Sequence, residues 1–115
     1  MKILVTGGSG FLGTQVCVNL REEFQSVIAV DLAPSPNAQV LNIASQEFLD
    51  LVSLEKPTVI VHLAGVQYLK PVPRWKREEF FNQNVLMART LANVMGTEPS
   101  IRQVVFVSTD MVYGK

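Results

Sequence analysis

Near the start of the chain, Gly7-Gly8-Ser9-Gly10-Phe11-Leu12-Gly13 spaces glycines Gly7, Gly10 and Gly13 evenly between an apolar run and an amphipathic one. That location gives the spacing a physical meaning. Gly7 permits a tight turn out of a strand, Gly10 lets a pyrophosphate come close to the backbone, and Gly13 lets the following helix pack on the sheet. The free N–H groups and positive dipole end of such a helix hold an anion without any charged side chain. Asp31 closes the next apolar run, at about the 20-residue offset expected of an acid that hydrogen-bonds an adenosine ribose. Turn and acid together point to a dinucleotide. A carboxylate there repels a 2′-phosphate, and the next residue is Leu32 rather than arginine, which favours NAD over NADP. Without a ligand the same residues read as a glycine-rich turn and a solvated strand-end acid.

Further along, His62 to Val66 reads HLAGV, Asn84-Val85 opens a helix, and Val107 to Gly114 reads VSTDMVYG. With Thr6 to Gly13, TGGSGFLG, these stretches resemble, in order and over essentially the whole chain, the landmarks of the extended short-chain dehydrogenase/reductases, the NAD-dependent epimerase/dehydratase family. The resemblance implies backbone contacts from Phe11 and Leu12 to the pyrophosphate and an adenine position at Asn42 and Ile43. It also places Leu63, Ala64 and Gly65 near the adenosine ribose and phosphate, and adds Leu32, Asn84 and Ser108 to the cofactor set. Where the family usually has aspartate, Asn42 keeps an amide oxygen that can accept from the adenine amino group. Thr109 matches the catalytic Ser/Thr, whose hydroxyl would hydrogen-bond the reacting sugar oxygen while a tyrosine with a neighbouring lysine takes the proton. That tyrosine and lysine form YxxxK in the family, and this chain contains no YxxxK: Tyr68 and Tyr113 have lysines two residues on, Lys70 and Lys115, off the shared helix face. Thr109-Asp110 is followed by Met111, which cannot transfer a proton, so the dehydratases that use a glutamate there are disfavoured against an epimerase, reductase or dehydrogenase.

The elements that must position these groups follow from patterning. Lys2 to Thr6, Ser26 to Asp31, Thr58 to Leu63 and Gln103 to Ser108 are short apolar runs that read as strands, with a brief further strand at Val40 to Asn42. Phe11 to Phe24 reads as a helix with Leu12, Val16, Leu20 and Phe24 inward. Ser45 caps a second helix through Phe48, Leu49 and Val52, stopped at Lys56-Pro57. Pro71 and Pro73 predict a loop over 65–76, followed by a longer helix marked by Phe80, Phe81, Asn84, Val85, Met87, Ala88, Leu91 and Met95 and ending near Gly96. Strands alternating with helices imply a Rossmann-type α/β fold, an open parallel sheet in the order 3-2-1-4-5 with right-handed crossovers. One crossover helix is missing, because 34–39 is too short and proline-rich to form it. His62, on an apolar strand, reads as a satisfied core histidine.

The remaining properties narrow the field. The chain has 115 residues, 48% hydrophobic and 17% charged, which suits one soluble globular domain, residues 1–115. Ten basic and ten acidic residues cancel, so no nucleic-acid or membrane partner is announced. The basic cluster Lys70, Arg74, Lys76 and Arg77 reads as a solvated face. The lone Cys17 reads as a small core side chain; no signal segment or metal-ligand pattern stands out, and a cytoplasmic location is the default. The last strand is apolar on both faces yet has no element after it to cover one of them, so the sheet is expected to be incomplete there, with Lys115 a truncation point or a partner chain supplying the cover. Two functions remain: the N-terminal, cofactor-binding portion of an enzyme acting on a nucleotide sugar, with the C-terminal strands and substrate domain absent, or a non-catalytic dinucleotide-binding module. Homo-oligomerisation stays open.

Overall fold

A computed structural model describes residues 1–64 and 72–107. Its first strand, β1 (Lys2–Thr6), buries Ile3, Leu4, Val5 and Thr6, as a strand covered on both faces must. Helix α1 (Phe11–Glu23) returns the chain to β2 (Ser26–Asp31), which pairs in parallel with β1 from Lys2↔Ser26 to Thr6↔Val30. After β3 (Gln39–Val40) and α2 (Gln46–Glu55), β4 (Val59–His62) pairs with the other edge of β1. Helix α3 (Arg74–Thr97) leads to β5 (Gln103–Phe106), which pairs in parallel with β4. The resulting five-stranded sheet runs β3-β2-β1-β4-β5, the expected Rossmann-type order.

Two apolar layers clamp the sheet. Leu4, Val30, Ile43, Phe48, Val52, Ile60, Met87, Leu91 and Val94 form one core with α2 and α3, whereas Ile3, Val5, Cys17 and Ala29 form a smaller one under α1. Alternation along β1 divides its side chains between them. Ser45 caps α2 as expected, its hydroxyl accepting from the Phe48 amide. Among the described residues, no helix is long and apolar enough to cross a membrane.

Besides the shorter β4 and β5, the structure differs from the patterning in four places. In α1 the buried residues are Gly13 and Cys17, and Leu12 is exposed. A strict four-residue step overshoots the helical repeat by about 40°, so Leu12 and Phe24 drift about 120° apart while Gly13, Cys17, Leu20 and Phe24 share one face. Strand β3 stops at Val40 rather than Asn42, because Asn42 turns the chain: its Oδ1 accepts from the Ala44 amide at 2.9 Å. Helix α3 begins at Arg74, inside the predicted loop, since the Pro73 carbonyl accepts from the Lys76 and Arg77 amides and a proline there sacrifices no N–H the helix needs. Its buried face is Met87, Leu91 and Val94, leaving Phe81 and Met95 exposed.

At the β5 edge Val104 packs against the core beneath α3, while Val105, Phe106 and Val107 are 38%, 51% and 47% exposed. No helix among the described residues covers β5 on the α1 side.

Helix α1 packs tightly on the turn before it, where a Cβ on Gly13 would sit 1.9 Å from the Gly7 carbonyl oxygen. Gly96, in the last turn of α3, would instead direct a Cβ into open space. Gly13→Ala should therefore cost about 3 kcal/mol or more by forcing α1 off the sheet. Gly96→Ala should stabilise by about 0.5–1 kcal/mol through helix propensity. Chemical denaturation of both variants checks the opposite signs.

Candidate functional site

The candidate site is built where β1 ends, at the carboxyl edge of the sheet. In the order β3-β2-β1-β4-β5, β1 leads to β2 on one side and β4 to β5 on the other, the switch point at which such sheets bind ligands. Gly7 turns the chain with φ +76°, and its amide and that of Gly8 both donate to the Val30 carbonyl, at 2.9 and 3.1 Å. A Cβ on Gly7 would lie 2.7 Å from the Ala64 nitrogen, so the turn presses against the end of β4. Leu63, Ala64 and the glycine turn are thereby brought together.

Gly10 is the N-cap of α1 and makes no side-chain cap, and the first helical turn contains no acidic residue. The first amides of the helix, those of Phe11 and Leu12 among them, therefore have neither a capping side chain nor a nearby carboxylate on the helix. Gly10 itself has φ −74°, open to any residue, and a Cβ there would meet only the Gly7 oxygen at an ordinary 3.5 Å. Neither conformation nor packing requires glycine at position 10. What its missing side chain does provide is an open approach to the helix N-terminus. The Phe11 side chain points into solvent, 91% exposed, so its contribution to such a site is its backbone.

Asp31 reaches back over this turn. Its Oδ2 accepts from the Ser9 amide at 2.9 Å and its Oδ1 from the Ala33 amide at 3.1 Å. Ser9 Oγ donates to the Ala33 carbonyl at 2.8 Å. Ser9 escaped sequence reasoning because an ordinary serine between glycines carries no signal of a bond to a residue so far along the chain.

Beneath the turn, Thr6 and His62 form a buried polar pair, Thr6 Oγ1 to His62 Nδ1 at 2.7 Å. The Thr6 oxygen also accepts from the Leu63 and Ala64 amides, at 3.1 and 3.2 Å. With its lone pairs so engaged, the hydroxyl hydrogen goes to Nδ1, which makes the histidine neutral with its proton on Nε2. Burial holds the His62 pKa below the ordinary value of 6.5, and the ring packs edge-on against Phe106. His62 is the satisfied core histidine expected of it. Thr6 was missed, because nothing in its sequence neighbourhood announces a histidine on another strand.

Other candidates are placed as follows. Leu32 is exposed just beyond Asp31. Ile43 is a core side chain, leaving only its main chain toward any ligand, and Asn42 Oδ1 already accepts from Ala44. Asn84 is half-buried on α3, where Met87 fills the core. Gly65, Ser108 and Thr109 lie outside the described residues, as do Lys70 and Lys115. Of the basic cluster, Arg74 pairs with Glu78 at 3.1 Å on an exposed helix face, Arg77 donates to the Val72 carbonyl, and Lys76 lies over the Phe80 ring. Cys17 is fully buried, and burial raises its pKa against the opposing charge of Arg21, the environment of an unreactive thiol.

Residues 3–115 match the NAD dependent epimerase/dehydratase family. The chain belongs to that family. Members similar to it include the mouse (Mus musculus) epimerase family protein SDR39U1, 36% identical over 89 residues, covering 77% of this chain and 28% of the relative. The UDP-glucose 4-epimerase of Halalkalibacterium halodurans is 28% identical, over 100% of this chain and 36% of its own. Among solved family structures, a short-chain dehydrogenase/reductase superfamily protein from Agrobacterium tumefaciens with bound NAD superposes with a TM-score of 0.80 at 27% identity, covering 99% of this chain and 34% of that one. UDP-glucose 4-epimerase from Thermotoga maritima with UDP-glucose gives 0.82 at 27% identity, over 95% and 38%. The chain thus spans 28% and 36% of the two relatives named first.

The burial of His62 makes stability depend on pH. The folded pKa of His62 lies below its unfolded value, so the unfolded chain binds the proton first, and the buried ring's contribution is present above about pH 6.5 and lost as pH falls toward the folded pKa. His62 is the chain's one histidine. The melting temperature should fall between about pH 7.5 and 5.5, and His62→Gln should flatten that slope. Thr6→Val, which strands the Ala64 amide and Nδ1 while the Leu63 amide keeps the Thr6 carbonyl, should cost about 2 kcal/mol at neutral pH.

Proposed function

We propose that this chain is the cofactor-binding portion of an NAD-dependent oxidoreductase-type enzyme of the epimerase/dehydratase class, acting on a hydroxyl of a nucleotide sugar. The observation that carries the reading is Gly10: a helix N-terminus left open by a glycine that the fold itself does not need, with Asp31 beside the same turn. Both fit a dinucleotide, the amides of α1 taking the pyrophosphate and the carboxylate the adenosine ribose. Bound there, the nicotinamide would accept and return a hydride. Support for the substrate class comes from the UDP-glucose 4-epimerases among the similar proteins.

In this reading Gly7 and Gly13 shape the turn, Phe11 and Leu12 give their amides, and Leu63, Ala64 and Gly65 wall the ribose and phosphate. Asn42 and Ile43 meet the adenine, and Leu32, Asn84 and Ser108 complete the cofactor set. Thr109 hydrogen-bonds the reacting oxygen of the sugar. The carboxylate of Asp31, with Leu32 after it in place of an arginine, favours NAD over NADP. Because the chain has no YxxxK, its isolated form lacks the family's proton acceptor and should turn over no nucleotide sugar. A non-catalytic dinucleotide-binding module is the second reading, favoured by that same missing motif. Reading the gene past codon 115 separates the two: a YxxxK helix supports the enzyme, and an immediate stop codon supports the module.

The cofactor claim has a direct test. Gly10→Asp places a good N-cap carboxylate on the amides a pyrophosphate would use. It should raise the stability of the free chain by a few tenths of a kcal/mol while weakening NAD binding at least about tenfold. Calorimetric titration with NAD and a denaturant melt read the two effects, and NAD binding by this variant as tight as by the wild type would refute the site. Incubation of the isolated chain with NAD and UDP-glucose should give no measurable product.

A further inference from the structure

We propose that Ser9 is the positioning residue for the ribose-binding carboxylate and a determinant of the preference for NAD over NADP, an inference that rests on the dinucleotide reading above. The two oxygens of Asp31 are held by main-chain donors from different segments: Ser9 of the glycine turn at 2.9 Å, and Ala33 of the loop after β2 at 3.1 Å. Left to themselves these segments are joined only through the carboxylate. The Ser9 hydroxyl joins them directly, donating to the Ala33 carbonyl at 2.8 Å, so Ser9, Asp31 and Ala33 form a closed ring of three hydrogen bonds.

Nothing else grips Ala33 as firmly. Leu32, Ala33 and Pro34 are all exposed, and the nearest anchors lie further on, where Ala38 packs against the core under α1 and Arg21 donates to the Asn37 carbonyl at 3.4 Å. On the turn side, Gly8 is fixed by the sheet, since a Cβ on it would strike the Ala29 methyl at 2.7 Å. A rigid turn thus holds a weakly anchored loop through one serine hydroxyl. A ribose with free 2′ and 3′ hydroxyls needs the carboxylate in one orientation to accept from both. A 2′-phosphate needs the opposite: a loop free to withdraw from the carboxylate and make room for the added group. By tying the loop down, Ser9 favours the first ligand and hinders the second.

The test uses the chain as it is, with dissociation constants for NAD and NADP measured by calorimetric titration. Ser9→Ala should weaken NAD binding about fivefold, the worth of roughly one hydrogen bond, and change NADP affinity by less than about twofold. Ser9→Thr, which keeps the hydroxyl, should restore NAD affinity to within about twofold of wild type. In an Asp31→Asn background Ser9→Ala should have no further effect, the non-additivity expected if Ser9 acts through the carboxylate. Hydrogen exchange at the Ala33 amide should quicken in Ser9→Ala while the β1 amides stay protected. Unchanged NAD binding, equal losses for both dinucleotides, or additive effects with Asp31→Asn would overturn the role of Ser9 while leaving the cofactor site standing. Failure of the wild-type chain to bind either dinucleotide would overturn the cofactor reading, and this inference with it.

Discussion

Everything at the head of the sheet depends on how closely α1 approaches the turn that launches it. The Gly7 carbonyl lies where a Cβ of Gly13 would have to be, and Gly7 in turn presses on the Ala64 backbone. Three pieces of main chain, the turn, the first turn of α1 and the end of β4, therefore meet with no side chains between them. Such packing aims the helix N-terminus over the edge of the sheet. A methyl group at Gly13 would push the helix away and move the amides that the candidate site relies on, and one at Gly7 would strike the end of β4.

Polar bonds then fasten what the glycines bring together. Thr6 holds β1 to β4 through His62, Leu63 and Ala64, deep enough that water cannot replace its partners. The Asp31 carboxylate holds the turn to the end of β2 from above. One bond set is buried and the other faces the crevice, which suits the first to stability and the second to recognition. At the opposite edge Val105 of β5 and Val107 just after it are exposed.

Much of this was legible in the sequence. The order of the strands, the alternation of elements, the cap at Ser45, the turn at Gly7 and the acid at Asp31 all follow from local rules: alternation, helical repeat, proline and glycine chemistry. Local rules were less useful where a residue's partner is remote or its exact face matters. The inward face of α1 was displaced because Gly13 is too small to register as apolar, although its smallness is the reason the helix packs there. The start of α3 was misplaced because proline reads equally as loop and as first-turn residue.

The sequence by itself thus determined the Rossmann-type topology and the chemical character of the turn, since both are written in short-range patterns. Only the tertiary structure decided what the small polar residues do. Thr6 meets a histidine 56 residues away, and Ser9 meets Asp31 and Ala33 at separations of 22 and 24. Hydrogen bonds over such distances exist only after parallel strands bring their carboxyl ends to one edge, and no local pattern encodes which serine or threonine will be waiting there.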